Sequence, residues 1–232
     1  MKFSVPTYSI DSNSRLSMTA FMRYAQEVAD EGSRGRGFGY NDLKARGLTW
    51  VLSRMKVVVD RMPDWQEEVE LSTWHKGFDR LFFPRDYELS DKDGNVLVRA
   101  TSAWLIVDFN THEMVRDDER IADLTVKQPE KDRNALPGGA ERIPSVQDGI
   151  PMGSHTVVWS DIDRLGHSNN SSYVSWTFDI IKEKSVREIE MNFVSQTFLG
   201  DRVDFYGKTS EDGRLILEAR VGDKPVYRAS LL

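Results

Sequence analysis

The chain has 232 residues, 39% hydrophobic and 29% charged, which suits one large domain or two modest ones and excludes general disorder. It has no cysteine, which removes a disulfide framework, a cysteine-ligated metal and a cysteine nucleophile together. The net charge of −6 argues against broad nucleic-acid binding, and no apolar run approaches the length of a membrane span.

The start, Met1-Lys2-Phe3-Ser4-Val5-Pro6, lacks the apolar stretch of a secretory signal, and a reducing cytoplasm is the expected location. Residues Tyr8 to Arg15 are polar and turn-like, with Ser17 placed to cap a helix. Met18, Phe21, Met22, Ala25, Val28 and Ala29 follow at helical spacing. Gly32, Gly35, Gly37 and Gly39 close that helix. The run from Gly35 to Gly39 lacks the strand and Lys-Ser/Thr of a phosphate loop and reads as a connector.

From Trp50 the period changes to two. Met55, Val57 and Val59 define one strand, Val69, Leu71 and Thr73 a second, and Leu81 to Leu89 a third. Asp91-Lys92-Asp93-Gly94-Asn95 is a hairpin turn, followed by a long strand from Val96 to Asp108. One helix followed by antiparallel strands predicts an α+β layer, a sheet wrapped on a helix. Residues 110–154 are charged, carry Pro129, Pro137, Pro144 and Pro151, and show little periodicity apart from Ile121 to Val126. They read as a surface connection between two halves, residues 1–109 and 155–232.

The second half repeats the order of the first. A shift of 149 lays Arg15-Leu16 on Arg164-Leu165 and Tyr24 on Tyr173. A shift of 134 lays Met55-Val57-Val59 on Ile189-Met191-Phe193 and Val69-Leu71 on Val203-Phe205. A shift of 129 brings Val98-Arg99-Ala100 onto Tyr227-Arg228-Ala229. In this register Asp163 falls on Ser14 and His167 on Met18, so the first half loses both charged groups. It offers Met18, Phe21 and Met22 as the lining of a greasy slot.

Between Trp159 and Asp179, Asp161, Asp163, His167, Asn169 and Asn170 lie just ahead of a stripe formed by Tyr173, Trp176, Thr177, Ile180 and Ile181. A carboxylate, an imidazole and the free N–H groups of a helix start are parts that acyl transfer needs. Helix capping explains the same residue types by hydrogen bonding alone.

The stretch D-I-D-x-x-G-H-x-N-N-x-x-Y-x-x-W from Asp161 to Trp176 resembles the second-domain signature of the acyl-acyl-carrier-protein (acyl-ACP) thioesterases. So do Met22 to Ala29, Gly47 to Leu52, Thr73-Trp74, Met191-Asn192-Phe193 and Gly200 to Val203, in that order. The resemblance implies two tandem hotdog domains that form one pseudo-dimeric unit, the first holding an acyl chain and the second catalytic. Hydrolysis of fatty acyl-ACP in fatty acid biosynthesis is the implied activity, with acyl carrier protein as partner and no cofactor. Nucleic acid and membrane are not expected partners, and a monomer or homodimer is. Acyl-CoA hydrolysis and non-catalytic acyl binding are the rivals.

Within that resemblance the catalytic residues are Asp163, as base or nucleophile, His167, Asn169 and Gln196. Gly166, Asn170 and Tyr173 join Met18, Phe21 and Met22 in substrate binding. The asparagines read more readily as loop braces than as catalysts, and Tyr173 as core. Two residues depart from the family pattern: Leu165 stands where Asn is usual and Gln196 where Glu is usual. Glutamine orients a water by hydrogen bonds but cannot take its proton. His75, His112 and His155 lack ligand-like spacing and nearby acidic partners, so no metal site is expected. Arg34, Arg36, Lys44 and Arg46 read as solvated surface, with carrier docking as the alternative.

Overall fold

The computed structural model describes residues 1–34, 36–116, 119–125, 130–182 and 185–232. Gly35, Val126 and Pro129 of the sequence reading lie outside the described residues. In chain order the elements are β1 (Lys2–Ser4), α1 (Met18–Ser33), α2 (Tyr40–Ala45), β2 (Leu48–Val59), β3 (Glu68–His75), β4 (Phe83–Asp91) and β5 (Val96–Asp108). A short α3 (Ala122–Thr125) lies in the connection. Then come β6 (Ile150–Thr156), α4 (Asn170–Ile181), β7 (Glu188–Phe193), β8 (Arg202–Thr209), β9 (Leu215–Val221) and β10 (Lys224–Leu231).

All ten strands join one antiparallel sheet in the order β1-β3-β4-β5-β2-β7-β10-β9-β8-β6. The order reads the same outward from either side of the β2–β7 junction, where Met55 faces Met191 and Lys56 faces Glu190. The 134-residue shift maps Lys56 onto Glu190, so a pseudo-two-fold axis passes between this pair. α1 and α4 pack side by side on one face, and a single core takes Phe21 and Met22 from α1, Tyr173 and Trp176 from α4, and Met55 and Met191 from the two central strands. Each helix buries the stripe that its 3.6-residue period marks.

The helices follow a different register from the one that residue identities suggest. Ser17 caps α1 by accepting the Ala20 N–H, and Asn169 caps α4 by accepting the Ser171 N–H, a separation of 152 positions. The isolated bridges Ile10–Leu16 and Ile162–Ser168 repeat at that separation, as do the positive-φ residues Ser14 (φ 59°) and Gly166 (φ 84°). Asp163 therefore falls on Asp11 and His167 on Arg15, which corrects the pairing with Ser14 and Met18. The first half keeps the loop carboxylate and carries a guanidinium in place of the imidazole.

Residues 150–154, which the sequence reading places in the connection, form β6 together with His155 and Thr156 on the outer edge beside β8. Pro151, Gly153 and a mostly exposed strand leave no alternation to read there. Ile121 and Leu124 of the connection pack with Leu43, Leu48, Phe83 and Ile106, whereas residues 135–146 cross the sheet face opposite the helices, where buried side chains meet their backbone. Ala135 N–H donates to Asp86, Ile143 N–H to Asn192 (2.8 Å) and Glu141 N–H to Glu190. Glu218, fully buried on β9, accepts from Arg228 Nε (2.6 Å), Arg220 Nε (2.7 Å) and Ser145 Oγ (2.9 Å).

Burial alone would raise the Glu218 pKa, but hydrogen bonds from Arg228, Arg220 and Ser145 and the Arg228 charge hold it below the usual value. Its stabilising contribution is thus complete above the ordinary glutamate pKa and is lost as pH falls through the depressed native one. Glu218→Ala leaves Arg228 buried without its counter-charge, and urea unfolding at pH 7 should show a loss of about 3–5 kcal/mol. That difference should shrink as the titration is repeated at lower pH.

Candidate active site

The segment entering α4 is a tight loop. Asp163 N–H donates to His167 O (2.9 Å) and Gly166 N–H to Asp163 O (3.1 Å), which makes a turn with Gly166 in the left-handed region. A Cβ at Gly166 would meet nothing within 4 Å, so the backbone angle, not space, calls for glycine. Asp163 Oδ1 accepts the Leu165 N–H at 2.7 Å, which makes an Asx-turn. Only one oxygen is used in this way: Oδ2 lies 3.7 Å from His167 Nδ1, an ion-pair distance and too long for a hydrogen bond.

Asp161 anchors the loop from behind. Its Oδ1 accepts Trp176 Nε1–H (3.2 Å), its Oδ2 accepts the Val158 N–H (2.9 Å) and lies 2.8 Å from His155 Nε2, and its carbonyl accepts the Asn169 N–H. His155 stacks on Trp176 at 4.5 Å between ring centroids. His155 thus has an acidic partner that sequence spacing did not disclose, because the one-turn helix Trp159–Asp161 swings the carboxylate back beneath β6. The first half repeats the arrangement without charge: Phe3 stacks on Tyr24, whose hydroxyl meets Ser9 Oγ at 3.0 Å.

A cavity of about 1190 Å³ lies between this loop, α1 and the strands of the first half. Asp163, His167, Asn169, Asn170, Tyr173 and Gln196 all line it. Gln196 is delivered by the 194–197 segment, which is tied to the loop by Ser168 N–H to Thr197 O (2.9 Å) and by Tyr173 OH to Thr197 Oγ1 (2.9 Å). Burial pushes the Tyr173 pKa up to about 12, so the phenol stays protonated and serves as a brace. Asn169 is the helix cap, and Asn170 Nδ2 reaches Leu52 O on β2 at 3.5 Å.

Met18, Phe21 and Met22 are not among the residues that line this cavity. They lie in the core under α1. The first half instead contributes Trp50, Leu52 and Trp104 from β2 and β5, together with Phe83 and Arg85 from β4. Apolarity does not distinguish a residue that faces a cavity from one that faces a neighbour. Arg85 carried a usable signal, a charge in the register of the apolar Phe83, Tyr87 and Leu89. Of the basic cluster, Arg34 pairs with Asp30 (2.6 Å) and Arg46 with Asp123 (2.7 Å), while Lys44 lies over the Tyr40 ring. Among the described residues no group of histidines and carboxylates could hold a metal ion, and no helix is long and apolar enough to cross a membrane.

A helix cradled by an antiparallel sheet, built twice and joined edge to edge, with an acid–imidazole loop facing a shared cavity, defines a tandem-hotdog protein of thioesterase type. Residues 1–124 match the acyl-ACP thioesterase N-terminal domain and residues 149–221 the acyl-ACP thioesterase C-terminal domain, and the chain belongs to this family. It superposes on an acyl-ACP thioesterase from Bacteroides thetaiotaomicron with a TM-score of 0.86 at 27% identity, covering 100% of this chain and 96% of that one. A 12:0-ACP thioesterase from Umbellularia californica gives 0.84 at 22% identity over 100% and 95% of the two chains, a likeness of fold. The chloroplastic palmitoyl-acyl carrier protein thioesterase of Gossypium hirsutum is 29% identical over 187 residues, 76% of this chain and 45% of that protein. That of Cuphea hookeriana is 31% identical over 192 residues, with the same coverage. The chain spans about half the length of these curated relatives.

Removing the Asp161 side chain tests its anchoring role. Asp161→Ala leaves the Trp176 and Val158 N–H groups without their acceptor, and thermal unfolding should report a loss of about 1–3 kcal/mol. His155→Phe keeps a ring on Trp176 and should cost less.

Proposed function

We propose that the chain hydrolyses the thioester of fatty acyl-acyl carrier protein, releasing free fatty acid in fatty acid biosynthesis. The observation that carries this reading is the placement of the Asp163 carboxylate and the His167 imidazole on the wall of the cavity at the start of α4. The acyl chain lies between Leu52, Trp104 and Tyr173, with its thioester carbonyl at the helix start. Water attacks the carbonyl carbon as Asp163 accepts its proton, directly or through His167, and Gln196 holds that water by its amide. Charge that develops on the carbonyl oxygen is met by the N-terminal N–H groups of α4. Asn169 takes up the Ser171 N–H, so the Asn170 N–H is the donor at hand. The carbon–sulfur bond then breaks, the thiol of the carrier leaves with a proton, and the carboxylic acid remains.

Carrier choice follows from charge. The chain is acidic overall, so an acidic carrier protein has to meet a local basic rim. Arg23, Arg164 and Lys224 line the cavity, and Arg164 lies 3.7 Å over the Tyr40 ring, bridging the two halves. One chain supplies both sides of the site, which suits a monomer.

Asp163→Asn keeps the size and the turn hydrogen bond but removes the charge. The kcat on acyl-ACP should fall by about 10²–10⁴-fold with little change in unfolding midpoint. Full turnover by this variant would reduce Asp163 to its turn. Parallel assays on acyl-ACP and acyl-CoA of equal chain length should give the higher kcat/KM for acyl-ACP, and equal values would remove the carrier from the proposal.

A further inference from the structure

Arg85 is 8% exposed and has no carboxylate within ion-pair distance among the described residues. Among the described residues its one side-chain hydrogen bond goes to the neutral Thr73 Oγ1, at 3.3 Å. A guanidinium carries five N–H donors, and burying its charge without a counter-ion is costly. The side chain lines the cavity described above and also a second chamber of about 650 Å³. Phe38, Trp50, His75 and Phe83 complete the wall that the two chambers share. Burial and the Arg85 charge press His75 down to a pKa of about 4, so this imidazole is neutral at pH 7 and is no counter-charge. Arg36 and Glu130, both exposed, bring one charge of each sign to the second chamber; Glu130 pairs with Arg133 at 3.2 Å, and Arg36 makes no ion pair among the described residues.

The internal repeat argues against a purely structural role. His75 pairs with Arg85 across β3 and β4 as Thr209 pairs with Leu215 across β8 and β9, and the 134-residue shift maps His75 onto Thr209. The second half thus builds the same position with leucine, and the fold does not require an arginine there. Aromatic walls around one buried, unpaired guanidinium suit an amphiphile with a planar anionic end, which the guanidinium fork meets with two parallel hydrogen bonds.

We propose that Arg85 anchors a carboxylate borne on an aliphatic chain, on the first-half wall that the two chambers share. Two sources share this chemistry: the far terminus of an ω-carboxyacyl thioester, and a free fatty acid bound with its head inward. The site stands without the hydrolytic reading; only the separation of the sources rests on it.

Calorimetric titration with sodium decanoate and with decanol tests the site in the intact chain. Wild type and Asp163→Asn should bind decanoate alike, and about tenfold or more tighter than decanol. Arg85→Leu, which installs the residue of the second half, should lose that preference, and Arg85→Lys should keep part of it. Equal binding of decanoate and decanol by wild type would overturn the proposal even if the variants failed to fold, and so would decanoate affinity unchanged in folded Arg85→Leu. If the ω-carboxy half-thioester of decanedioic acid has a lower KM than the decanoyl thioester, and Arg85→Leu abolishes the difference, the substrate terminus is the source. Competitive inhibition by decanoate without such a difference identifies the free acid. Loss of turnover in both arms with decanoate binding intact would sink the hydrolytic reading and leave the site standing.

Discussion

The pairing of β2 with β7 is the constraint on which the rest depends. Each of these strands would otherwise end a five-stranded sheet with a row of unpaired backbone groups. Joining them, with Met55 opposite Met191, removes both edges at once and leaves only the short, mostly exposed β1 and β6 as margins. It also brings α1 and α4 onto one face, where they share a core. The cavity exists only because of that junction. Its loop belongs to the second half, while α1, β2, β4 and β5 of the first half form the opposite wall. Arg23 Nε to Ser171 Oγ (3.4 Å) and Asn170 Nδ2 to Leu52 O (3.5 Å) cross the seam beside the site.

The repeat then shows how one loop is given two fates. In the first half, Asp11 Oδ1 accepts the Asn13 and Arg15 N–H groups, and the Arg15 side chain reaches Asp64 at 3.4 Å. Leu16 N–H meets Pro63 O as Ser168 N–H meets Thr197 O, which places Met62 in the role of Gln196. The backbone frame is the same and each aspartate gives one oxygen to its turn, but in the first half the guanidinium is committed to a salt bridge and a thioether stands in place of the Gln196 amide. Asp163 has instead an imidazole 3.7 Å from its second oxygen. Chemistry separates the halves where architecture does not.

Much of this was legible in the sequence, because burial on one side leaves a period. The stripes of α1 and α4 and the inner faces of β2, β3, β5, β7, β8 and β10 all showed it. β9 was obscured by Leu215-Ile216-Leu217, an apolar run that hides the alternation around Glu218. The helix register was misjudged by three positions for a physical reason: three residues are nearly one turn, so apolar stripes superpose in either register. Caps and positive-φ residues discriminate, and Ser17 with Asn169 and Ser14 with Gly166 do so here. Asp163, His167, Asn169, Asn170 and Tyr173 are legible as polar or aromatic residues near a helix start, and Gln196, which follows β7, is named only through the family resemblance; all six line the cavity. The opposite wall was not found, since its members come from strands far apart in sequence.

The connection explains how a one-layer sheet tolerates charges on the face away from its helices. Asp86, Asn192, Glu190 and Glu218 are buried there, which would be costly without partners. The strap supplies them from its own backbone, whose N–H groups would themselves lack acceptors if it lay over an apolar surface. Each side thus offsets part of the other's desolvation cost, and Asp86 Oδ1 alone of these carboxylate oxygens is buried without a hydrogen-bond partner among the described residues. Asp86 lies on β4 of the first half, and Asn192 and Glu218 lie on β7 and β9 of the second. The strap therefore fastens across the same seam that β2 and β7 close, on the opposite face. A cavity walled by both halves requires their relative position to be fixed, and the seam is held from both sides of the sheet.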